Sequence, residues 1–274
     1  MDDREYTDRE LLTTPDTVRG IMETPGLCLI DTRPAEQFAR GHIPGALHFD
    51  LYGLSLIDTN PAPLNAFLSM IHHLFELRGA GLEKEVVFYE ETSGMRAARG
   101  LWFLHTFGHK RVRLLDGGIR AWHKMGLPIS TQPATPEPAQ LKMSERRDLL
   151  TTVDDVLTAL KKESPCIVDA RSEDEYKARK IRAARGGAIP GAVHIEWLRN
   201  LDGEGKFKPA EELKTLYADA GVTADKEIIA YCQGGYRSAH TYLALKLLGY
   251  PRIRNYLGSW KEWGDRVDLP LENP

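Results

Sequence analysis

The stretch with the clearest chemical potential is CQGGYRS, residues 232–238, close to the C-terminal end. Cys232 directly follows the apolar run IIAY, and Arg237 precedes a helical pattern. A thiol has a reference pKa of about 8.5, which a helix N-terminus or a neighbouring cation lowers. The spacing therefore predicts a thiolate at the surface, stabilised by Arg237 and by backbone N–H groups.

The remaining residues of this loop fit the same interpretation. Gly234 and Gly235 have no side chains, so the backbone can curl with its N–H groups facing inward. Gln233 and Tyr236 complete the predicted binding loop, and Ser238 is expected to cap the helix and to donate to the sulfur or its substrate. The alternative is a buried structural cysteine, which would not explain the glycine pair or the arginine.

The other two cysteines have a different setting. Cys28 and Cys166 lie at equivalent positions in apolar runs, where we expect them to pack in the core. Three cysteines form a small and odd set, which favours a reducing compartment over a disulfide-stapled secreted fold. We therefore expect a cytoplasmic protein.

The elements that must position the loop occur twice along the chain. Three pairs of motifs recur in the same order: CLIDTR (28–33) and CIVDAR (166–171), HIPGALH (42–48) and AIPGAVH (188–194), and RVRLLDGGIRAW (111–122) and RIRNYLGSWKEW (252–263). A proline-spaced stretch, TQPATPEPAQ, separates the copies and is typical of a semi-rigid connector. The repeat predicts domains at 8–132 and 145–274, with a linker at 133–144.

Each copy alternates short apolar runs with helical patterns, which indicates an α/β fold. Residues 166–168 and 228–231 read as buried strands, and the leucines after residue 238 recur at helical spacing. This alternation predicts a mostly parallel sheet with helices on both faces. In such folds ligands bind beyond the carboxyl ends of the strands, which is where CQGGYRS lies.

The bulk properties exclude several classes of function. The net charge of −3 argues against a nucleic-acid binder, which usually carries a basic patch. No apolar run is long enough to cross a bilayer, and the charged N-terminal stretch does not resemble a secretory signal. We expect neither a nucleic-acid partner nor a membrane partner.

The length of the loop separates two kinds of cysteine chemistry. Cysteine phosphatases hold a phosphoryl group in a C-x5-R loop, whereas four residues separate Cys232 from Arg237 here. The shorter loop makes a smaller cup, better fitted to one extra sulfur atom than to a phosphoryl group. A phosphatase or arsenate reductase is thus an alternative that the loop length disfavours.

Taken together, these motifs resemble the tandem rhodaneses, sulfurtransferases with two rhodanese-like domains of which only the C-terminal one is catalytic. The loop from Cys232, CIVDAR, AIPGAVH and YLGSWKEWGDRVDLPLE resemble the second domain, and CLIDTR, GHIPGALHFDL and LLDGGIRAW resemble the first. The resemblance implies two flavodoxin-like α/β domains. It also implies a ping-pong reaction, in which the Cys232 thiolate takes a sulfane sulfur as a persulfide and passes it to a nucleophile.

The resemblance also implies the reactants. Thiosulfate is the expected donor, with 3-mercaptopyruvate as the alternative, and cyanide, a thiol or thioredoxin is the acceptor. It implies no metal and no organic cofactor, and a monomer is the simpler expectation. A non-catalytic sulfur-sensing or docking module is a further alternative, but such modules usually lose the cysteine that this chain retains.

Two residues depart from the family pattern. Gln233 stands where thiosulfate-type enzymes commonly carry arginine and mercaptopyruvate-type enzymes glycine. Glu175 stands where the animal enzymes place a donor-binding arginine. Arg237 at the end of the loop is closer to the bacterial thiosulfate type. Within the family, Asp169 and Arg171 would brace the site.

The first copy is expected to lack activity. It keeps Arg96 opposite Arg237, but it has Glu90 and Glu91 where a cysteine would lie. We therefore expect a packing partner that forms a wall of the site, and a second active site using Glu90 is the disfavoured alternative. The basic insertion 177–187, which has no counterpart in the first copy, reads as a solvated loop or as an attractor of anionic donors.

Overall fold

The computed structural model describes residues 4–141, 146–162 and 165–274. Residues 142–144 of the predicted linker and residue 145, the predicted start of the second domain, lie outside the described residues. The first half contains β1 (Leu12–Thr13), α1 (Pro15–Ile21), β2 (Leu27–Asp31), α2 (Ala35–Arg40), β3 (Leu47–His48), α3 (Pro61–Leu77), β4 (Glu85–Tyr89), α4 (Met95–Thr106), β5 (Val112–Leu115) and α5 (Gly118–Lys124). The second half contains β6 (Leu150–Thr151), α6 (Val153–Ala159), β7 (Pro165–Asp169), α7 (Glu173–Tyr176), β8 (Val193–His194), α8 (Ala210–Asp219), β9 (Glu227–Tyr231), α9 (Arg237–Leu247), β10 (Ile253–Tyr256) and α10 (Ser259–Trp263).

Both halves build the same five-stranded sheet, and all of the strand pairs are parallel. The strand order is β1-β5-β4-β2-β3 in the first sheet and β6-β10-β9-β7-β8 in the second. From β7 the chain continues to β8 on one side, and from β9 it continues to β10 on the other. The boundary between β7 and β9 is therefore a topological switch point, which opens a crevice at the carboxyl ends of the strands.

Helices cover both faces of each sheet. In the second unit, α6 and α10 pack on one face through Val156, Trp260 and Trp263, and α8 and α9 pack on the other. In the first unit, α1, α2 and α5 cover one face and α3 and α4 the other. The predicted α/β fold with two tandem units is confirmed.

Helices α4 and α9 pack against each other and join the two units. Their apolar residues belong to one continuous core, which includes Trp102 and Leu104 from α4 and Leu243 and Leu247 from α9. Burial of this shared apolar surface stabilises the contact between the units. The loops that follow β4 and β9 precede these two helices, so both loops lie at the interface.

The described part of the linker packs along the longest described helix, α3. The Ala139 N–H donates to the Glu76 carbonyl at 3.0 Å, and the Leu141 N–H donates to the Glu76 carboxylate at 3.1 Å. These bonds fix the direction in which the chain leaves the first unit. Across the described ranges, no helix is both long and apolar enough to traverse a lipid bilayer.

Candidate active site

Cys232 lies directly after β9, at the base of a cavity between the two units. Its side chain is 1 % exposed. The cavity has a volume of about 550 Å³ and is lined by Tyr52, Gly53, Ser55 and Met95 of the first unit and by Arg182, Trp197, Gln233, Gly234, Tyr236, Arg237 and Lys261 of the second. The prediction of a surface thiolate was wrong in this respect, because the first unit covers the loop and leaves the sulfur at the base of a pocket.

The loop carbonyls are all held away from the sulfur. Four bonds do this: Trp260 N–H to the Cys232 carbonyl at 2.9 Å, Lys261 N–H to the Gln233 carbonyl at 2.9 Å, an Arg99 guanidinium N–H to the Gly234 carbonyl at 2.6 Å, and an Asn255 amide N–H to the Gly235 carbonyl at 3.2 Å. In a planar trans peptide the C=O and N–H groups point in opposite directions. Outward carbonyls therefore turn the N–H groups of residues 233–236 inward, into a cup.

Donors from the cup and from the first turn of α9 reach the sulfur itself. The Ser238 hydroxyl donates to Cys232 Sγ at 3.5 Å, and the backbone N–H groups of Gly234 and Ser238 also bond to it. Ser238 lies inside α9, whose N-cap is Tyr236 and has no side-chain capping bond. The predicted capping role of Ser238 was therefore wrong, and its hydroxyl is directed at the sulfur instead.

The three cysteines differ sharply in acidity. Burial alone would raise the pKa of the Cys232 thiol, but the Arg237 charge and the bonds from Ser238 and Gly234 outweigh it and hold this pKa below its ordinary value. Burial raises the pKa of Cys28 to about 12, and it also raises the pKa of Cys166. Cys232 is thus the one thiol that its surroundings favour as a thiolate.

Arg237 is paired with the carboxylate of Glu175 on α7. The two guanidinium bonds measure 2.5 and 2.9 Å, and Glu175 also accepts from the Ser172 hydroxyl at 2.9 Å in a capping box. Burial alone would raise the pKa of Glu175, but Arg237 and Ser172 lower it to about 2. The carboxylate is therefore ionised at neutral pH and offsets part of the Arg237 charge.

Comparison with known proteins identifies the family of this two-unit architecture. The Rhodanese-like domain family matches the chain twice, over residues 14–125 and 152–266. The chain belongs to the rhodanese family. Its rhodanese units thus coincide with the two sheets described above, and the predicted resemblance to tandem rhodaneses is confirmed.

Relatives over the full length carry related names. A "Thiosulfate sulfurtransferase" of Azotobacter vinelandii is 36% identical over 99% of this chain and 100% of the relative. A "Thiosulfate sulfurtransferase" of Pseudomonas aeruginosa is 32% identical (97% and 98%), and the "Sulfur carrier protein TtuD" of Thermus thermophilus is 34% identical (97% and 98%). The predicted enzyme class, a rhodanese-type transferase, agrees with these names.

A solved structure shares the fold. The anaerobic ergothioneine biosynthesis enzyme of Chlorobium limicola superimposes with a TM-score of 0.85 over 98% of this chain and 71% of that chain, at 22% identity. At this identity the likeness concerns the fold alone. It agrees with the tandem rhodanese architecture.

Asp169 and Arg171 form a buried ion pair at the end of β7. The shortest bond is 2.6 Å, and the Tyr231 hydroxyl donates to Asp169 at 2.6 Å, which ties the residue before Cys232 to the neighbouring strand. The first unit repeats the arrangement, with Arg33 bonded to Asp31 at 2.6 Å. The first unit has this ion pair although its loop after β4 carries no cysteine. The geometry therefore supports a bracing role for the pair in both units.

The side chains of Gln233 and Trp197 lie at the cavity. The Gln233 amide N–H donates to the Arg182 carbonyl at 2.9 Å, which ties the basic insertion to the loop. Trp197 lines the cavity. One ring nitrogen of His194 hydrogen-bonds the Arg171 carbonyl at 2.9 Å, as that of His48 bonds the first unit's Arg33 carbonyl, so this contact is shared by both units.

The loop of the first rhodanese unit holds a carboxylate in place of a thiol. The Arg96 N–H donates to Glu90 Oε1 at 2.8 Å, and the Ala97 N–H also bonds this side chain. Burial outweighs these bonds, which lower the pKa, and raises the pKa of Glu90 to about 7. The Arg96 guanidinium pairs with Asp50 at 2.6 Å. The Glu90 carboxyl group thus occupies the backbone N–H groups of its own loop, which supports a non-catalytic role for this unit.

Sequence reasoning missed two residues that shape the loop. The Ser259 hydroxyl accepts from the Cys232 N–H at 3.1 Å, and Ser259 adopts φ 53, where its counterpart Gly118 has φ 58. This left-handed backbone favours glycine, so serine at this position is strained. Arg99 is the second, and the sequence marks it only as one of two arginines in the largely apolar pattern MRAARGLWFLHT.

Proposed function

We propose that this rhodanese moves a sulfane sulfur from thiosulfate to a thiophilic acceptor such as cyanide or a thiol, through a persulfide on Cys232. The observation that carries the proposal is the thiol-centred cup of inward N–H groups, in which Cys232 alone of the three cysteines has a lowered pKa. The full-length relatives named thiosulfate sulfurtransferase support the choice of donor.

The first half-reaction loads the cysteine. The Cys232 thiolate attacks the outer sulfur of thiosulfate and forms a new S–S bond. The bond between the two thiosulfate sulfurs breaks, and sulfite leaves with its electron pair. The negative charge now lies on the terminal persulfide sulfur, where the N–H cup and the Ser238 hydroxyl can stabilise it. No outside oxidant or reductant is consumed.

The second half-reaction restores the thiolate. A nucleophilic acceptor attacks the terminal sulfur, the S–S bond to Cys232 breaks, and the electron pair returns to Cys232 Sγ. Cyanide leaves as thiocyanate, and a thiolate leaves as a persulfide. A small thiol or thioredoxin is the acceptor class that we propose in the cell. Two displacements through a covalent intermediate give ping-pong kinetics.

Charge at the mouth of the cavity suits an anionic donor. Arg182 and Lys261 line the cavity beside Gln233 and add positive charge to that of Arg237. Glu175 partly offsets both arginines, at 2.5 Å from Arg237 and 3.6 Å from Arg182. A field of this sign raises the local concentration of an anion. We infer that the basic insertion contributes to donor capture through Arg182.

Intact-mass spectrometry tests the proposal. Incubation with thiosulfate should add the mass of one sulfur atom, and cyanide should remove it with release of thiocyanate. Cys232→Ser should gain no mass and lose turnover, whereas the matched control Cys166→Ser should keep both. A parallel incubation with 3-mercaptopyruvate compares the donors. Full turnover by Cys232→Ser, or no added sulfur in the wild type with either donor, would refute the persulfide.

A further inference from the structure

Arg99 of the first rhodanese unit is a buried cation without a carboxylate partner within the described residues. It lies on α4 and is 0% exposed. Its guanidinium donates to the Leu54 carbonyl at 2.7 Å and to the Gly234 carbonyl of the other unit at 2.6 Å. The guanidinium carbon lies 3.6 Å from the ring centroid of Tyr236, in a cation–π contact.

Such a burial is energetically unfavourable by itself. A buried charge is usually paired with an opposite charge, because desolvation removes its interaction with water. Arg99 has two carbonyls and an aromatic face instead, and its Nε has no hydrogen-bond partner. Burial lowers the pKa of Arg99 to about 10, whereas the negative charges that Tyr236 and Cys232 can carry act in the opposite direction. The Cys232 thiolate, or an anion bound on it, is thus a natural counter-charge.

We propose that Arg99 is a positioning residue for the reaction: from the non-catalytic unit it holds the Gly234 carbonyl outward, so that the cup around Cys232 keeps its shape, and it contributes a second positive charge to the thiolate and the persulfide. This inference rests on the proposed function of Cys232. It gives the first rhodanese unit a part in the chemistry that its own loop cannot perform.

The peptide between Gly234 and Gly235 is where such a tie matters most. The other three loop carbonyls are held by groups of the second unit, and Arg99 is the donor that crosses the interface. Two glycines in sequence allow this peptide to rotate at little steric penalty. Rotation would turn the Gly235 N–H away from the sulfur and point a carbonyl oxygen towards it. The bond from Arg99 opposes that rotation.

Tyr236, on which Arg99 stacks, is anchored to residues 51–54 of the first unit, the segment that Arg99 also bonds. The Tyr236 hydroxyl donates to the Leu51 carbonyl at 2.7 Å and to the Leu54 carbonyl at 3.2 Å. Arg99 also bonds the Leu54 carbonyl. The loop, Arg99 and residues 51–54 therefore form one cross-interface assembly. The charged groups around the cup are Arg237 of α9, Glu175 of α7, Lys261 of α10, Arg182 of the insertion and Arg99 of α4.

Replacing Arg99 by methionine in the full-length protein tests the proposal. The readout is the rate of Cys232 alkylation by iodoacetamide against pH, measured by mass spectrometry on the Cys232 peptide. We expect the thiol pKa to rise by about one unit, which corresponds to an approximately tenfold lower rate at any pH below both pKa values. We also expect kcat to fall more than KM rises, because the cup that Arg99 helps to hold in shape surrounds the reacting sulfur.

Arg78→Met is the matched control. Arg78 belongs to the same unit, donates to the His48 carbonyl at 3.1 Å, and lies over the Phe49 ring at 5.2 Å. It thus has the same kinds of partner as Arg99, without a described contact to the loop. We expect this variant to keep the wild-type alkylation profile. An equal shift in Arg78→Met would overturn the proposal, because the effect of Arg99 would then be a general loss of stability.

Two further variants keep the test decisive. Arg99→Lys keeps the charge but cannot hold both carbonyls, so its pKa shift should be smaller than that of Arg99→Met; it serves alone if the methionine variant does not fold. Tyr236→Leu removes the ring and should shift the pKa in the same direction. A folded Arg99 variant with an unchanged alkylation profile overturns the inference but leaves the proposed function intact. An ordinary thiol pKa in the wild type would overturn the proposed function itself.

Discussion

The Glu175 carboxylate accepts hydrogen bonds from both terminal guanidinium nitrogens of Arg237, at 2.5 and 2.9 Å, so the arginine that ends the Cys232 loop is paired before any donor binds. The Glu175 carboxylate of this pair is nearly excluded from water, because its side chain is only 2% exposed. Buried partners of this kind interact more strongly than exposed ions. The consequence is that this one carboxylate offsets part of the positive charge that Arg237 offers to an anion in the cavity.

Glu175→Gln should therefore strengthen donor binding. Glutamine keeps the shape of the side chain and can still complete the capping box with Ser172, but it no longer neutralises Arg237. We expect the KM for thiosulfate to fall by roughly three- to tenfold. Steady-state kinetics at low salt measures the effect. Glu173→Gln, at an exposed position of the same helix, is the control. An unchanged or higher KM in Glu175→Gln would contradict the electrostatic role.

The loop of the first unit makes stability depend on pH through Glu90. Its pKa is raised from an ordinary 4.5 to about 7, so the folded state prefers the protonated carboxyl. The stability that this group contributes is present below about pH 4.5 and is lost as the pH rises through about 7. Glu90→Gln should thus raise the urea midpoint of unfolding at pH 8 and change it little at pH 4.5.

Glu91→Gln, at the exposed neighbouring position, is the control for this prediction. It should leave the pH dependence of the midpoint as it is in the wild type. A Glu90→Gln variant that is less stable than the wild type at pH 8 would contradict the raised pKa.

Gly235 tests the backbone geometry of the cup. Its φ is +84, and an added Cβ would lie 3.2 Å from the Leu257 carbonyl oxygen. Gly221 has φ +73 with open space around it. Alanine at either position should reduce stability by roughly 1–2 kcal/mol. Only Gly235→Ala should also slow Cys232 alkylation and turnover. Equal losses of turnover in the two variants would show that loop geometry is not the cause.

Much of the fold could be predicted from the sequence, because the repeat of CLIDTR and CIVDAR marks two equivalent strands and their order along the chain. The loop residues from Cys232 to Arg237 were also predictable, since local spacing places them together. The depth of Cys232 and the contact from Arg99 were not. Both depend on how α4 packs against α9, and a single sequence does not encode that packing in any local pattern.

Ser238 shows a related limit. Its position near the helix start made a cap the simplest expectation. The cap is Tyr236, two residues earlier, and the helix begins at Arg237, so the Ser238 hydroxyl lies inside the first turn and reaches the sulfur at 3.5 Å. A shift of two residues is within the usual uncertainty of helix boundaries. It changed the role of the side chain completely.

Titration of the wild-type thiolate by its ultraviolet absorbance, with Cys232→Ser as the reference, measures whether inward N–H groups and Arg237 favour the ionised sulfur despite its burial. We expect a difference signal from one thiolate that titrates clearly below the reference thiol pKa of about 8.5. A Cys232 thiolate that titrates at or above 8.5 would contradict it.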